Sequence, residues 1–335
     1  MSKRKNVVVL GGAGFLGSLL CERLTQKDLN VICFDNFASS DEKNINHLLR
    51  LPNFKFIKHD IAEDIELEKI KDLEVFNIPV FGISEIYNLA CPTSVKNFDK
   101  LIMKTISANT VGLVNSLELA VKYKTKYMLF SSSVVYGETK KGEVVNEDFR
   151  GPLDMMDERA CYDAGKFYSE SVVECYRKEH KLDTKIVRVF RTYGPKMLLQ
   201  DGQMIPDFIV NALENKDLVI FGDEKFETSL CYVTDVIEGA IKAMESSNNE
   251  PLNLGSQEVY KIFDVAKKIV ELTDSSSQIV LEESKLFMRE LAVPDITKIK
   301  EEIGWFPIVS LEDGLKKTID FTRAHKDLLT FSEDI

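Results

Sequence analysis

The chain has 335 residues and is 44% hydrophobic, enough for one large domain or two smaller ones with a proper core. Its net charge of −11 excludes the basic footprint of a nucleic-acid binder, but not an anionic small ligand, which responds to local field. No apolar run approaches the roughly 20 residues of a membrane span, the basic start runs into a glycine loop rather than a signal peptide, and six scattered cysteines without a CxxC pair read as reduced thiols. The expectation is a cytoplasmic protein with neither a membrane nor a nucleic-acid partner.

Asn6 to Leu10 is a short β-branched run that predicts a buried strand, and Phe15 to Thr25 carries helical spacing. Strands are predicted at Asn30 to Phe34, Phe54 to Ile57, Ile86 to Leu89, Tyr127 to Ser131 and Lys185 to Val189. Helical segments separate them, notably about Val95 to Lys122 and Arg159 to His180. The alternation predicts an α/β fold with a doubly wound parallel sheet, a Rossmann domain, over residues 1–195. After Gly194-Pro195 the pattern loosens. Helices are predicted near Met204 to Asn215, Val236 to Ser246, Ile262 to Thr273 and Leu311 to Ala324, mixed with short apolar strands. Residues 196–335 read as a smaller mixed α/β substrate-binding domain, with about 230–246 available to complete the first. No linker composition marks the boundary, so tight packing between the two is expected.

Gly11 precedes a GxGxxG match, Gly12-Ala13-Gly14-Phe15-Leu16-Gly17, which follows a predicted strand and opens a predicted helix. Glycines there permit a tight turn and close approach to a pyrophosphate, and the helix N-terminus supplies free N–H groups. Asp35, ending the second strand, is placed to accept hydrogen bonds from the adenosine ribose and to repel a 2′-phosphate, which selects NAD over NADP. Asn36 adjoins it. Asp60 and Ile61, after the third strand, are candidates to meet the adenine; Asp60 reads equally as a loop acid.

Tyr162 and Lys166 stand four apart in a predicted helix and share a face. A neighbouring cation favours the phenolate and brings a tyrosine toward use as a base. With the dinucleotide loop and the serines Ser131 to Ser133 at a strand end, the pair predicts removal of a hydride from an alcohol. Other chemistries fare poorly. The four histidines form no HExxH and no cluster with cysteine, so no metal is expected, and there is no GxSxG elbow.

These motifs, together with Asn88-Leu89-Ala90, Ser131-Ser132-Ser133-Val134-Val135-Tyr136-Gly137 and Tyr193-Gly194-Pro195, resemble the extended short-chain dehydrogenase/reductases that act on nucleotide sugars. The resemblance covers nearly the whole chain. Within that family the wording of Ala90-Cys91-Pro92, Arg159-Ala160-Cys161-Tyr162-Asp163 and Pro294-Asp295-Ile296 is most similar to the UDP-glucuronate decarboxylase group. The resemblance implies that Tyr162 takes the proton of a sugar C4 hydroxyl while C4 gives hydride to NAD. It also implies that Lys166 serves the nicotinamide ribose and lowers the tyrosine pKa, and that Ser132 or Ser133 holds the reacting oxygen. Leu89, Ala90 and Cys91 then line the site, and a homodimer built on the two long helices is expected.

Four positions depart from the family's pattern. Val134 stands where decarboxylases and 4,6-dehydratases carry a glutamate, Thr228 and Ala292-Val293 stand where substrate arginines are usual, and Arg191 replaces an asparagine. Arg191, Cys91 and Thr228 are taken as substrate-side candidates, with a surface salt bridge the alternative for Arg191. Without a carboxylate at Val134, net 4-epimerisation or 4-dehydrogenation to a 4-keto product is favoured. UDP-glucuronate decarboxylation comes next and 4,6-dehydration third. Outside enzymes, an NAD-binding sensor or scaffold would explain a degenerate substrate site, yet it would need neither Tyr162 nor Lys166.

Overall fold

Seven parallel strands form the central sheet of the computed structural model, which describes residues 4–199, 201–222, 224–283 and 292–329. In chain order the first five are β1 (Asn6–Leu10), β2 (Asn30–Asp35), β3 (Phe54–Lys58), β4 (Glu85–Asn88) and β5 (Lys126–Ser132). A two-residue strand β6 (Val144–Val145) lies outside the sheet, and β7 (Thr184–Val189) and Leu252–Leu254 complete it. Read across, the order is Leu252–Leu254, β7, β5, β4, β1, β2, β3. The connection direction reverses between β1 and β4, and a crevice opens beyond the carboxyl ends of such a pair. In register, Val8 faces Ile32 on one side and Ile86 on the other.

Both faces of the sheet are covered, which is why β1 reads as one uninterrupted apolar run. Val7 and Val9 point into one core with Leu20 and Leu24 of α1 (Phe15–Gln26) and with residues of the helix Val233–Glu245. Val8 and Leu10 point into the other. After a short α2 (Ile78–Phe81) and α3 (Phe98–Asn109), that second core takes in Leu113 and Leu117 of α4 (Val111–Tyr123) and Val173 of α5 (Ala160–His180).

The long helix expected over Val95 to Lys122 is therefore two helices, α3 and α4, parted at Thr110 with φ −119° and ψ −87°. Apolar spacing continues across the break and conceals it. Gly112, just past it, packs so close to Ile61 that a Cβ would sit 2.6 Å from the isoleucine side chain.

Beyond residue 195 the chain builds small two-stranded pairs and the helices Met204–Leu213, Ile262–Thr273 and Leu311–Leu329. It also returns to the first layer. Val233–Glu245 packs on α1, and the strand after it, Leu252–Leu254, extends the sheet next to β7. We propose that the substrate-side unit comprises 196–335 without this returning segment; residues 200, 223, 284–291 and 330–335 of that range lie outside the described residues. The two parts share one core, and Trp305 Nε1 donates to the Asp235 carbonyl at 2.9 Å between them.

Candidate active site

The crevice between β1 and β4 continues into a cleft of about 680 Å³ that runs from Asp35 past the end of β5 to Arg191. At its β1 end, Gly11 adopts φ +77°, and a Cβ there would lie 2.8 Å from the Ala90 nitrogen. Only glycine tolerates both the dihedral and the approach. Gly17 likewise has no room for a Cβ against the Gly11 carbonyl. Gly11 and Gly12 N–H groups donate to the Phe34 carbonyl at 2.8 and 3.1 Å, which ties the loop to β2.

Helix α1 starts at Gly14 with no side-chain cap and no acid in its first turn. Its N–H groups and positive dipole end remain available to an anion. Phe15, Leu16 and Gly17 of that first turn line the cleft, as do Leu89 and Ala90 opposite.

Asp35 sits beside this loop. Its Oδ2 accepts from Ala13 N at 2.9 Å, and its Oδ1 accepts from Phe37 N at 2.9 Å and Ser40 Oγ at 2.7 Å. Those bonds fix the carboxylate at the cleft wall. Asn36 Nδ2 donates to Asp60 Oδ2 at 2.8 Å, and Asn36, Asp60 and Ile61 line the same end. An uncapped helix start, a glycine cradle and a fixed carboxylate fit a dinucleotide.

The catalytic candidates meet at the cleft's middle. Helix α5 carries Tyr162 and Lys166 on one face, and β5 delivers Ser132 and Ser133 at its end. Lys166 is buried; its Nζ donates to the Phe130 carbonyl at 3.0 Å and lies 5.9 Å from the Tyr162 ring centre. Burial, helped by nearby Cys91, pushes the Tyr162 phenol well above its ordinary value, while the Ser132 hydroxyl and the Arg159 guanidinium pull it down. The sequence assigned a downward pull to Lys166; Ser132 and Arg159 exert one here, and Arg159 is a residue the sequence did not single out for chemistry.

Arg159 is the residue immediately before α5, one helical turn from Tyr162, with its guanidinium carbon 5.6 Å from the Tyr162 ring centre and 5.8 Å from that of Phe98. The i,i+3 spacing was visible, but Phe98 comes from another helix.

At the far end, Val134 and Cys91 line the cleft, and so does Arg191 just after β7. Thr228 is the exception among the candidates. It is buried behind the wall, where its Oγ1 accepts from Arg191 Nη1 at 3.1 Å. Burial and the charge of Arg159 bring Arg191 down to about 10.

A family model described as GDP-mannose 4,6 dehydratase matches residues 8–318. UDP-glucuronic acid decarboxylase 4 of Arabidopsis thaliana is 36% identical over 315 residues, which is 93% of this chain and 68% of that one. Among solved structures, UDP-glucuronic acid 4-epimerase of Bacillus cereus with UDP-glucuronic acid and NAD is 27% identical, with TM-score 0.82 over 95% of this chain and 99% of that one. UDP-glucose 4-epimerase of Thermotoga maritima with UDP-glucose is 26% identical, with TM-score 0.83 over 96% and 99%.

Proposed function

The chain belongs to the GDP-mannose 4,6 dehydratase family, a group of extended short-chain dehydrogenase/reductases, and from that premise we propose that it oxidises a nucleotide sugar at C4 with NAD, leaving the carbon skeleton intact. The favoured net outcome is 4-epimerisation, or release of the 4-keto sugar. The observation that carries the reading is Tyr162 and Ser132 meeting in one cleft with the glycine loop and Asp35, while the wall beside Ser133 is Val134. Gly11, Gly14, Asp35 and Lys166 would hold NAD, which supplies a hydride acceptor when bound.

Ser132 orients the C4 hydroxyl and Tyr162 receives its proton. Arg159 and Ser132 favour the phenolate that this requires. Lys166, fixed by the Phe130 carbonyl, has further N–H donors for the cofactor ribose. A valine neither gives nor takes a proton, so the wall at Val134 offers nothing for elimination. Decarboxylation is the second reading. It draws on the 36% identity to a UDP-glucuronic acid decarboxylase.

Tyr162→Phe should keep the fold and NAD binding yet lose about two to four orders of magnitude in turnover. Purified protein loaded with NAD and mixed with a panel of UDP-, GDP-, CDP- and dTDP-sugars reports this by the product sugar formed, with absorbance of the reduced nicotinamide following the oxidation half-reaction. A near-wild-type rate in the variant would remove Tyr162 from the chemistry.

A homodimer is the proposed assembly. Met103 and Ile106 of α3, Val111 of α4, and Phe167 and Tyr168 of α5 are exposed on neighbouring helices that pack together. Light scattering at micromolar concentration should give twice the chain mass; a monomer mass contradicts it.

A further inference from the structure

Cys161, Gly165 and Ser169 stand four apart on α5 and form one row along the helix. That row packs on Asn109, the last residue of α3. Ser169 Oγ donates to Asn109 Oδ1 at 3.3 Å, and a Cβ on Gly165 would lie 3.1 Å from Asn109 Nδ2. The same Nδ2 donates to Cys91 Sγ at 3.2 Å. The Asn109 amide therefore leads up the row from Ser169 toward Cys91, and Cys161 is the next residue of the row. The two thiols are close enough for charge on one to act on the other; burial, helped by Cys91, pushes the Cys161 thiol above its ordinary value.

Exposure sets this pair apart from the other cysteines. Cys21, Cys33 and Cys231 are buried, which shields a thiol from oxidants, and Cys175 is exposed farther along α5. Cys91 and Cys161 are both half-buried, and Cys91 lines the cleft that a small molecule would enter. Where thiols are otherwise kept reduced, neighbouring accessible ones are those that form transient, regulatory disulfides.

We propose that Cys91 and Cys161 form an oxidative modification site, which a peroxide closes into a disulfide and a dithiol reopens. The Cys91 sulfur attacks hydrogen peroxide and breaks its O–O bond; one oxygen stays as the sulfenic acid and the other leaves as water. The Cys161 sulfur then displaces the sulfenic oxygen, which leaves as a second water with the Cys161 proton, and the S–S bond forms. Two electrons and two thiol protons pass to the peroxide. A dithiol reverses the bond by two exchanges and leaves as its own disulfide. Cys161 immediately precedes Tyr162, and Cys91 follows Ala90, whose nitrogen lies under Gly11. The closed bond therefore tethers the residue next to the base to the wall beneath the cofactor loop, and draws Tyr162 out of position.

The test treats reduced, NAD-loaded protein with hydrogen peroxide, blocks the remaining thiols and maps peptides without reductant. Wild type should lose two hydrogens in one cross-linked peptide that joins Cys91 to Cys161. Its turnover of a nucleotide sugar, an arm that rests on the proposed role of Tyr162, should fall about 100-fold, the cost of misplacing a reacting group by about 1 Å. Dithiothreitol should restore it. Cys161→Ser should keep the untreated rate; peroxide should then carry its Cys91 on to the sulfinic acid, which dithiothreitol does not reverse. Absence of a Cys91–Cys161 peptide in wild type overturns the inference. So does a cross-link that leaves turnover unchanged, or a Cys161→Ser protein that recovers with dithiothreitol as wild type does. The mapping needs no substrate: a protein that turns over no nucleotide sugar would count against the proposed reaction, and the mapping would then decide the thiol pair by itself.

Discussion

Arg188 and Arg191 are three residues apart, the first buried and the second half-buried, and their surroundings differ in kind. Arg188, on β7, faces the Glu170 carboxylate at 2.7 Å, with Nη1 donating to the Tyr136 hydroxyl at 3.1 Å and the Glu147 carbonyl at 2.9 Å. Ser131 Oγ closes the set by donating to Glu170 at 2.6 Å. Arg191 has one neutral partner and a second cation near it. A paired, fully bonded buried charge organises a fold; an unpaired one beside a cavity anticipates a ligand. The Arg188 network holds Ser131, the residue before Ser132 in β5, and so anchors the end of that strand. Arg191 stands at the cleft wall itself.

Removing a counter-charge breaks this contrast most sharply. Glu170→Gln leaves Arg188 enclosed and unpaired, and should cost about 3–5 kcal/mol of stability in denaturant unfolding. Arg191→Gln should cost nothing measurable in the same assay, because it removes a charge that already lacks a counter-ion. Equal losses from both would erase the distinction.

A smaller effect concerns pH. The Tyr162 phenol is raised in the free protein, so it is protonated at neutral pH and the oxidation rate should climb as pH rises and the phenolate forms. Arg159 favours that phenolate, so Arg159→Gln should shift the rate profile to higher pH, read from rates of nicotinamide reduction with UDP-glucose, whose sugar carries no charge. An unshifted profile would leave Arg159 without a part in activating the base.

The smallest change is Thr228→Val. It removes the one side-chain hydrogen bond that orients Arg191, worth about 0.5–1.5 kcal/mol. Affinity for UDP-glucuronate should fall between about twofold and tenfold with stability nearly unchanged. No change would make Thr228 a bystander.

The local parts of the site were legible in the sequence. A strand, glycine loop, helix and acid lie within 30 residues of one another, and Tyr162 and Lys166 within one helical turn, so spacing alone reports their geometry. The helix Ile262–Thr273 coincides with its apolar periodicity. The break at Thr110 was hidden because the apolar stripe runs through it. The seventh sheet strand, Leu252–Leu254, is three residues long and has no pattern of its own. Arg159 was overlooked because its meaning comes from Phe98 and Arg191, which only folding brings near. Thr228 was assigned to the cleft, yet it holds Arg191 from behind; a sequence position does not say which side of a wall a side chain faces.

The most direct test is the mass and C4 configuration of the product that the wild-type chain makes from UDP-glucuronate with NAD bound. The account predicts an unchanged mass with inverted C4, or a loss of two hydrogens, with C6 retained in either case. Loss of carbon dioxide on the order of once per second or faster would contradict it, and would make the missing carboxylate at Val134 dispensable for decarboxylation.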